Sequence, residues 1–203
     1  MRAMELEPTD AAGVSDTSAA PQGLVHRARE DADAFARLYR RHYDAVFRYC
    51  AHRLFDRAAA EDATSATFLK AVESLVGFSG DERAFRNWLY AIATNHINTQ
   101  FRRARLWERF LKSRRPEPPA QRPAGERAPE ADERTALLKQ AIRGLKPRQQ
   151  ALITLRYFED LDAGEIARVL GGSAATVRSQ LSRALTRLRR RMHAAGIDGI
   201  GEV

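Results

Sequence analysis

The residues best placed to do chemistry lie near the end of the chain, in the stretch GEIARVLGGSAATVRSQLSRALTRLRRRM at 164–192. A short helical pattern ends at Gly171, which is placed for a left-handed cap, and Ser173 suits the N-cap of a second helix. Seven arginines and no acidic residue occur between positions 166 and 197. Guanidinium groups at this density bind phosphate, so the chemistry expected here is nucleic-acid binding.

The spacing of small and apolar residues in this stretch predicts a helix-turn-helix. Ala167 is small, Gly171 makes the turn, and Val177 is the first residue of an apolar stripe on the second helix. In a helix-turn-helix the second helix enters the major groove of DNA. Thr176 and Arg178 are predicted to lie on the flank of this stripe, and the residues predicted to face away from it are Ala175, Ser179, Ser182, Arg183 and Thr186. The alternative is an ordinary helical hairpin with a solvated arginine face.

The charge distribution favours duplex DNA as the partner. The 203 residues carry a formal net charge of +8, and residues 134–203 hold thirteen Lys and Arg against six Asp and Glu. Basic charge without a helix-turn-helix would fit a membrane surface or RNA equally well. A hinge followed by a basic helix instead indicates duplex DNA.

Other kinds of site have no visible basis in the sequence. We find no Gly-rich phosphate loop, Cys-x-x-Cys or His-Glu-x-x-His motif, and therefore expect no catalytic residue, metal or cofactor. Cys50, His52, His42 and His96 lie in helical, partly apolar surroundings and are interpreted as packing or surface residues. No apolar run approaches 18 residues and a single cysteine fits a reducing compartment, so we expect no membrane insertion and a cytoplasmic location.

The distribution of proline divides the chain into two small domains. Residues 112–133 hold five of the eight prolines and almost no large apolar residue, which predicts a flexible linker. Residues 1–29 are predicted to be a disordered extension without a secretory signal, and residues 194–203 a short tail. The domains at 30–111 and 134–193 lack β-branched alternation. We therefore predict an all-α fold, with the helix-turn-helix in the second domain.

The first domain combines residue types that bind unpaired bases. Three helices are predicted: one from about residue 33 to 50, one from 59 to 76, and one that begins near Ala84 after the turn GFSGDER. The third helix has Phe85 and Trp88 on one side, where they are favoured as core residues. Its other side carries amides followed by arginines, a mixture that can hydrogen-bond and stack on single strands.

The second domain is predicted to contain four helices. The first spans residues 135–145, and Pro147 suits the first position of the next. The helix-turn-helix supplies the last two.

Several segments together resemble a known family. LKPRQQALITLRYFEDLDAGEIARVLGGSAATVRSQLSRALTRLRRRM (145–192) resembles region four of extracytoplasmic-function (ECF) sigma factors, the promoter-recognition subunits of bacterial RNA polymerase. DAFARLYRRHYDAVFRYC (33–50), AEDATSATFLKAV (60–72) and FSGDERAFRNWLYAIATNHINTQFRR (78–103) resemble region two of the same family. Both blocks occur in the family's order, with a linker between them.

The resemblance implies roles for particular residues. Region four would read the minus-35 promoter element through Ala175, Thr176, Arg178, Ser179, Ser182 and Arg183. Region two would capture an unpaired minus-10 base, and the residues implied are Phe78, Ser79, Gly80, Asp81, Asn95, Thr99, Arg102 and Arg103. The second helix would dock on the clamp helices of the largest polymerase subunit through Asp62, Ser65, Ala66 and Lys70.

The chain departs from the family pattern at two places. Ser65-Ala66 replaces the usual Gln-Glu of the docking helix and removes a carboxylate, while Asp62 is retained. Arg178-Ser179-Gln180 replaces a Lys/Arg-Ser-Arg pattern, which alters the chemistry offered to the minus-35 element.

The implied partners are the polymerase core and promoter DNA, both duplex and single-stranded. An anti-sigma factor is common in the family, although no residue here identifies one. A stand-alone helix-turn-helix regulator is the main rival function, and a nucleic-acid enzyme and a helical scaffold are further alternatives.

Overall fold

The structure, a computed structural model, describes residues 21–114 and 130–196, with side chains described for 23–111 and 134–196. Every regular element in these ranges is helical, which confirms the all-α prediction. The helices are α1 Pro21–Arg27, α2 Ala32–Leu54, α3 Arg57–Ser74, α4 Glu82–Arg114, α5 Glu130–Arg143, α6 Pro147–Tyr157, α7 Ala163–Leu170 and α8 Ala174–Ala194, with a 3₁₀ turn at Leu75–Gly77.

Short polar side chains start the helices of the first domain. The Asp31 carboxylate accepts the Asp33 backbone N–H at 2.9 Å and caps α2, and Asp56 accepts the Ala59 N–H at 2.9 Å and caps α3. These caps satisfy N–H groups that have no partner within the helix. Helix α3 ends earlier than predicted, at Ser74, because the 3₁₀ turn tightens the chain before the loop that leads to α4.

Helix α1 corrects the prediction that residues 1–29 are disordered. Leu24, Val25 and Ala28 are buried, and α1 packs on α2 and α4. Arg29 also donates a hydrogen bond to the Phe78 carbonyl oxygen. The polar composition before residue 22 hid this short apolar patch, which the bundle buries. Residues 1–20 of the predicted extension lie outside the described residues.

The second domain begins its helices at the predicted signals. Pro147 is at the start of α6, and the Ser173 hydroxyl accepts the Thr176 N–H at 3.1 Å to cap α8. Gly171 has φ 71° and ψ 137°, so the predicted left-handed cap is correct in φ but not in ψ. The turn is therefore more open than a left-handed cap would make it.

The two domains pack against each other. Helix α4 lies against α7, helix α2 lies against α6, and one apolar core continues from the first domain into the second. A second core joins α5, α6 and α8. Helix α4 extends to Arg114 and α5 starts at Glu130, so both ends of the predicted 112–133 linker are helical, and residues 115–129 lie outside the described residues.

Candidate nucleic-acid interface

Helix α8 presents one open basic face. Val177, Ala184, Leu188 and Met192 anchor the helix in the domain and are buried. The opposite face is exposed at all six positions predicted to read duplex DNA: Ala175, Thr176, Arg178, Ser179, Ser182 and Arg183. The structure therefore brings this predicted set together on one accessible surface, with the dimensions of a helix that fits a major groove.

A residue that the sequence analysis did not single out holds the helix-turn-helix together. Arg148, in the first turn of α6, donates from Nη1 to the Leu170 carbonyl at 3.1 Å and from Nη2 to the Gly171 carbonyl at 3.1 Å. Its Nε donates to Oε1 of Gln180 on α8 at 3.0 Å. No periodic pattern connects positions 148, 171 and 180, so no signal in the sequence pointed to this contact.

The loop before α4 is built on an aromatic cluster. The Phe78 ring lies 4.8 Å from the Trp88 ring and 5.7 Å from the Phe85 ring, between centroids. Ser79, Gly80 and Asp81 are exposed. The Asp81 carboxylate accepts the Ala84 N–H at 2.7 Å and so caps α4, a structural task that the sequence analysis did not assign to it.

The other predicted minus-10 residues lie farther along α4. Asn95, Thr99, Arg102 and Arg103 share one side of the helix, and Thr99 accepts a hydrogen bond from Arg102 at 3.0 Å. Because an α-helix rises about 1.5 Å per residue, Asn95 is roughly 20 Å from Asp81 along the axis. The structure therefore does not bring the two groups into one pocket. They lie at separate positions on one long helix.

The predicted docking residues lie on α3, beside the part of α4 that contains Asn95. Asp62, Ser65 and Lys70 are exposed, and Ala66 is half-buried. An open crevice of about 550 Å³ has Ala66 and Lys70 on its α3 wall. Its α4 wall includes Asn95, Thr99 and Arg103.

Large apolar side chains accompany the docking residues on α3. Leu69 is 63% exposed, Val72 is 49% exposed, and Val76, just beyond the helix, is 76% exposed. Apolar periodicity alone would place Leu69 and Val72 in the core, but no helix of the described chain covers that side of α3, and both side chains are exposed. Exposed apolar groups of this size are typical of a protein-docking surface.

Two carboxylates of the second domain are held by the first. Glu165 Oε1 accepts hydrogen bonds from Arg83 Nε and from Arg86 Nη2, both at 2.7 Å, and its side chain is only 4% exposed. The hydrogen bond from Arg83 is the largest cause of a pKa of about 2 for Glu165. Its Oε2 accepts the backbone N–H of Asp162, which completes a capping box at the start of α7.

Glu159 is the second of these carboxylates, and its environment is different. Tyr90 donates to its Oε2 at 2.8 Å and Arg48 donates to the same oxygen at 3.2 Å. Burial outweighs these partners and raises the pKa of Glu159 above its ordinary value. The interface between the domains therefore holds one carboxylate that is stabilised as an anion and one for which the anion is disfavoured.

The packed second domain also borders the side of α4 that is predicted to bind bases. A crevice of about 450 Å³ is lined by Asn95, Thr99 and Arg102 from the first domain and by Arg148 and Leu170 from the second, among others. Residues predicted for single-stranded DNA and residues of the helix-turn-helix thus face each other across this crevice.

Comparison with known proteins agrees with this geometry. Residues 38–106 match the family model Sigma-70 region 2, and residues 135–188 match Sigma-70, region 4. The ECF RNA polymerase sigma factor BldN of Streptomyces coelicolor is 35% identical over 178 residues, which cover 85% of this chain and 66% of BldN. RNA polymerase sigma factor YlaC of Bacillus subtilis is 30% identical over 162 residues, 79% of this chain and 92% of YlaC.

Two solved structures share the fold. CnrH, in complex with the cytosolic domain of CnrY, matches with a TM-score of 0.64 at 22% identity, over 86% of this chain and 97% of that one. The sigma factor RpoE of Bartonella quintana, in complex with the anti-sigma factor NepR, matches with a TM-score of 0.59 at 21% identity, over 78% and 96%.

The chain belongs to the sigma-70 family of RNA polymerase sigma factors, in its ECF group. Within residues 21–114 and 130–196, none of the helices has the length and apolar character needed to cross a membrane. The same residues contain no cluster of three or more His, Cys, Asp or Glu that could hold a metal ion.

Proposed function

We propose that this chain is a non-enzymatic initiation subunit that works in the cytoplasm, binds the core of bacterial RNA polymerase and directs it to promoters. One observation carries the proposal: a single chain presents an exposed basic recognition helix together with a second long helix bearing amides and arginines beside an apolar docking face. A stand-alone regulator needs the first of these surfaces and has no use for the other two.

The proposed roles divide between the two domains. Helix α8 enters the major groove of the minus-35 duplex. The loop at 78–81 and the exposed side of α4 bind the minus-10 element once it is unpaired, since a stacked base is not accessible to side chains on a helix. Asp62, Lys70 and the exposed apolar residues of α3 contact the clamp helices of the largest polymerase subunit. An anti-sigma factor is a further proposed partner.

Binding both promoter elements requires the domains to separate. The names of the elements place them roughly 25 base pairs apart, which is about 85 Å of duplex at 3.4 Å per base pair. A compact chain of this length has a radius of gyration of only about 17 Å. Residues 115–129, between α4 and α5, would span at most about 50 Å if fully extended. The packed arrangement is therefore a state of the free protein that must open on the promoter.

Transcription by a reconstituted enzyme tests the proposal. Purified core polymerase with this chain is used to select promoters from a randomised library, and run-off transcripts are then measured with and without the chain. Transcripts that depend on the chain and start at a fixed position support the proposal. Binding to duplex DNA that is unaffected by core polymerase, with no transcript, would instead support the stand-alone regulator.

A further inference from the structure

The turn of the helix-turn-helix is made by two glycines. Gly171 and Gly172 are consecutive and both have positive φ, 71° and 125°. A side chain at either would meet no atom within 4 Å, so steric crowding is not the reason for glycine here. Two adjacent glycines leave the backbone of the turn itself unusually free, while α7 and α8 pack directly against each other.

Arg148 connects the turn to α6 and α8 by hydrogen bonds. Its two Nη atoms bind successive carbonyl oxygens, of Leu170 and Gly171, where α7 ends and its carbonyls lack helical partners. A cation at this end of a helix is also favoured by the helix dipole. The planar guanidinium is suited to hold the turn and a third group at once, because its five N–H donors point in fixed directions.

The third group is Gln180, and the contact determines which way its amide points. Arginine has donors and no acceptor, so the oxygen of the Gln180 amide must face Arg148. The NH₂ group is then the part left to meet a ligand. Gln180 lies on the side of α8 between Thr176 and Arg183, one turn from each, and these neighbours are exposed on the predicted reading face.

With one lone pair of its oxygen engaged by Arg148, the Gln180 amide offers its NH₂ group more readily than its oxygen. Paired contact with adenine uses both the oxygen and the nitrogen of the amide, whereas guanine N7 and O6 and thymine O4 are acceptors that need only donors. We propose that Arg148 is a positioning residue that makes Gln180 a donor toward an acceptor edge, preferably guanine, in the minus-35 duplex. This inference rests on the proposed function.

The test uses the full chain assembled with core polymerase and a set of duplexes in which each minus-35 position carries each base in turn. The parent should show one position where guanine is preferred over adenine by about tenfold, the scale of a good base contact. Gln180→Glu removes the donors, and this preference should disappear or reverse toward a base that presents a donor. Gln180→Ala should abolish it.

Arg148→Ala should act at the same position. Once the amide is free to turn, the preference for guanine should fall below about threefold, and the double variant with Gln180→Ala should match Gln180→Ala alone, as expected for residues that act together. Arg156→Ala is the matched control. It removes an exposed arginine from the same helix that also binds a carbonyl oxygen, that of Leu161, away from the turn. Its base preferences should equal those of the parent.

Two results would overturn the inference. One is an unchanged base preference in Gln180→Glu. This test can be made even if Arg148→Ala fails to fold. The other is an equal loss of affinity for all duplexes with a salt slope smaller by about one unit, which would make these residues phosphate contacts. If the parent enzyme shows no base preference at any minus-35 position, the proposed function itself fails, and this result is distinct from the loss of preference at a single position.

Discussion

Arg83 and Glu165 lie 82 positions apart in the chain, and yet Arg83 Nε is 2.7 Å from Glu165 Oε1. The pair joins the start of the long helix α4 to the first turn of the helix-turn-helix. Arg86 reaches the same oxygen, so one buried carboxylate holds two cations of the other domain. This contact is a polar link between the domains, beside the apolar core that they share.

The low pKa of Glu165 predicts a dependence of stability on pH. Its ordinary pKa is 4.5 and its folded pKa is about 2, so the folded protein favours the ionised form. The stabilisation is present above pH 4.5 and is lost as the pH falls toward 2. Because Arg83 is well exposed, we discount the full shift and expect about 1–2 kcal/mol. This stabilisation is measured by urea unfolding of the parent and of Glu165→Gln from about pH 3 to about pH 7.

Glu159→Gln is the matched comparison, because the stability that Glu159 contributes should depend on pH in the opposite direction. Burial raises the pKa of Glu159, so the folded protein binds its proton more tightly than the unfolded chain does. The stability that this group contributes therefore decreases as the pH rises above the ordinary pKa of the Glu159 carboxyl. In Glu159→Gln this decrease in stability should be absent. Identical pH profiles for the two variants would contradict the assignment of opposite environments.

Opening of the domains should follow loss of the arginine pair. In Arg83→Ala/Arg86→Ala, Glu165 stays on the second domain without its cations, a buried charge that favours separation. We expect the radius of gyration measured by small-angle X-ray scattering to increase. Arg41→Ala is the control, because Arg41 pairs with Glu82 at 2.6 Å within the first domain, and this variant should stay compact. A compact double variant would show that the shared apolar core alone keeps the domains together.

The recognition helix gives a third prediction. Arg178 and Arg183 are both exposed on α8, and we expect alanine at either position to weaken binding to the minus-35 duplex. A base contact should cost roughly 1–3 kcal/mol and relax preference at one position, whereas a phosphate contact should lower affinity for all sequences and reduce the salt slope by about one. Fluorescence anisotropy over a salt series separates the two. Unchanged binding in both variants would mean that α8 is oriented differently.

These outcomes show which features the sequence could predict. The helices were predictable because each is specified locally: Asp31 and Ser173 cap α2 and α8, Pro147 starts α6, and apolar residues repeat at helical spacing. The contacts Arg83–Glu165 and Arg148–Gln180 were not predictable. Arginine, carboxylate and amide side chains are common on exposed helix faces, and no local rule pairs two such residues that are distant in the sequence. The exposed face of α3 was missed for a related reason. Periodicity identifies an apolar side of a helix but cannot show whether this chain or a partner covers it.

Gly80 illustrates a residue whose structural role must be separated from DNA binding. Its φ is 145°, and a Cβ there would lie 2.8 Å from the Ala84 Cβ. Gly80→Ala should therefore destabilise the first domain by about 1–3 kcal/mol, the scale of backbone strain, as measured by thermal unfolding. Ser79→Ala, one position earlier and exposed, should have little effect on stability. Equal stability of the parent and Gly80→Ala would show that the loop can move to accept a side chain.

Promoter opening provides the sharpest prediction for α4, and it is best tested at Asn95. The Asn95 side chain is exposed beside Thr99, and its amide can both donate to and accept from a base edge. In the enzyme assembled with core polymerase, Asn95→Ala should leave core binding and minus-35 binding intact. Opening should fall about tenfold, equivalent to roughly 1.4 kcal/mol. Permanganate reactivity of unpaired thymines measures the opened fraction over time.

The control for Asn95 lies on the same helix. Gln100 is another amide of α4 that lines the crevice toward α3, and its Nε2 is 3.0 Å from His96 Nε2. Gln100→Ala removes an amide of similar chemistry from a position with no predicted DNA contact, so it should open promoters as the parent does. If Asn95→Ala also opens promoters normally, capture of the minus-10 strand must depend on the loop at 78–81 or on the arginines beyond Asn95. The assignment of Asn95 would then be wrong even though the chain remains a sigma factor.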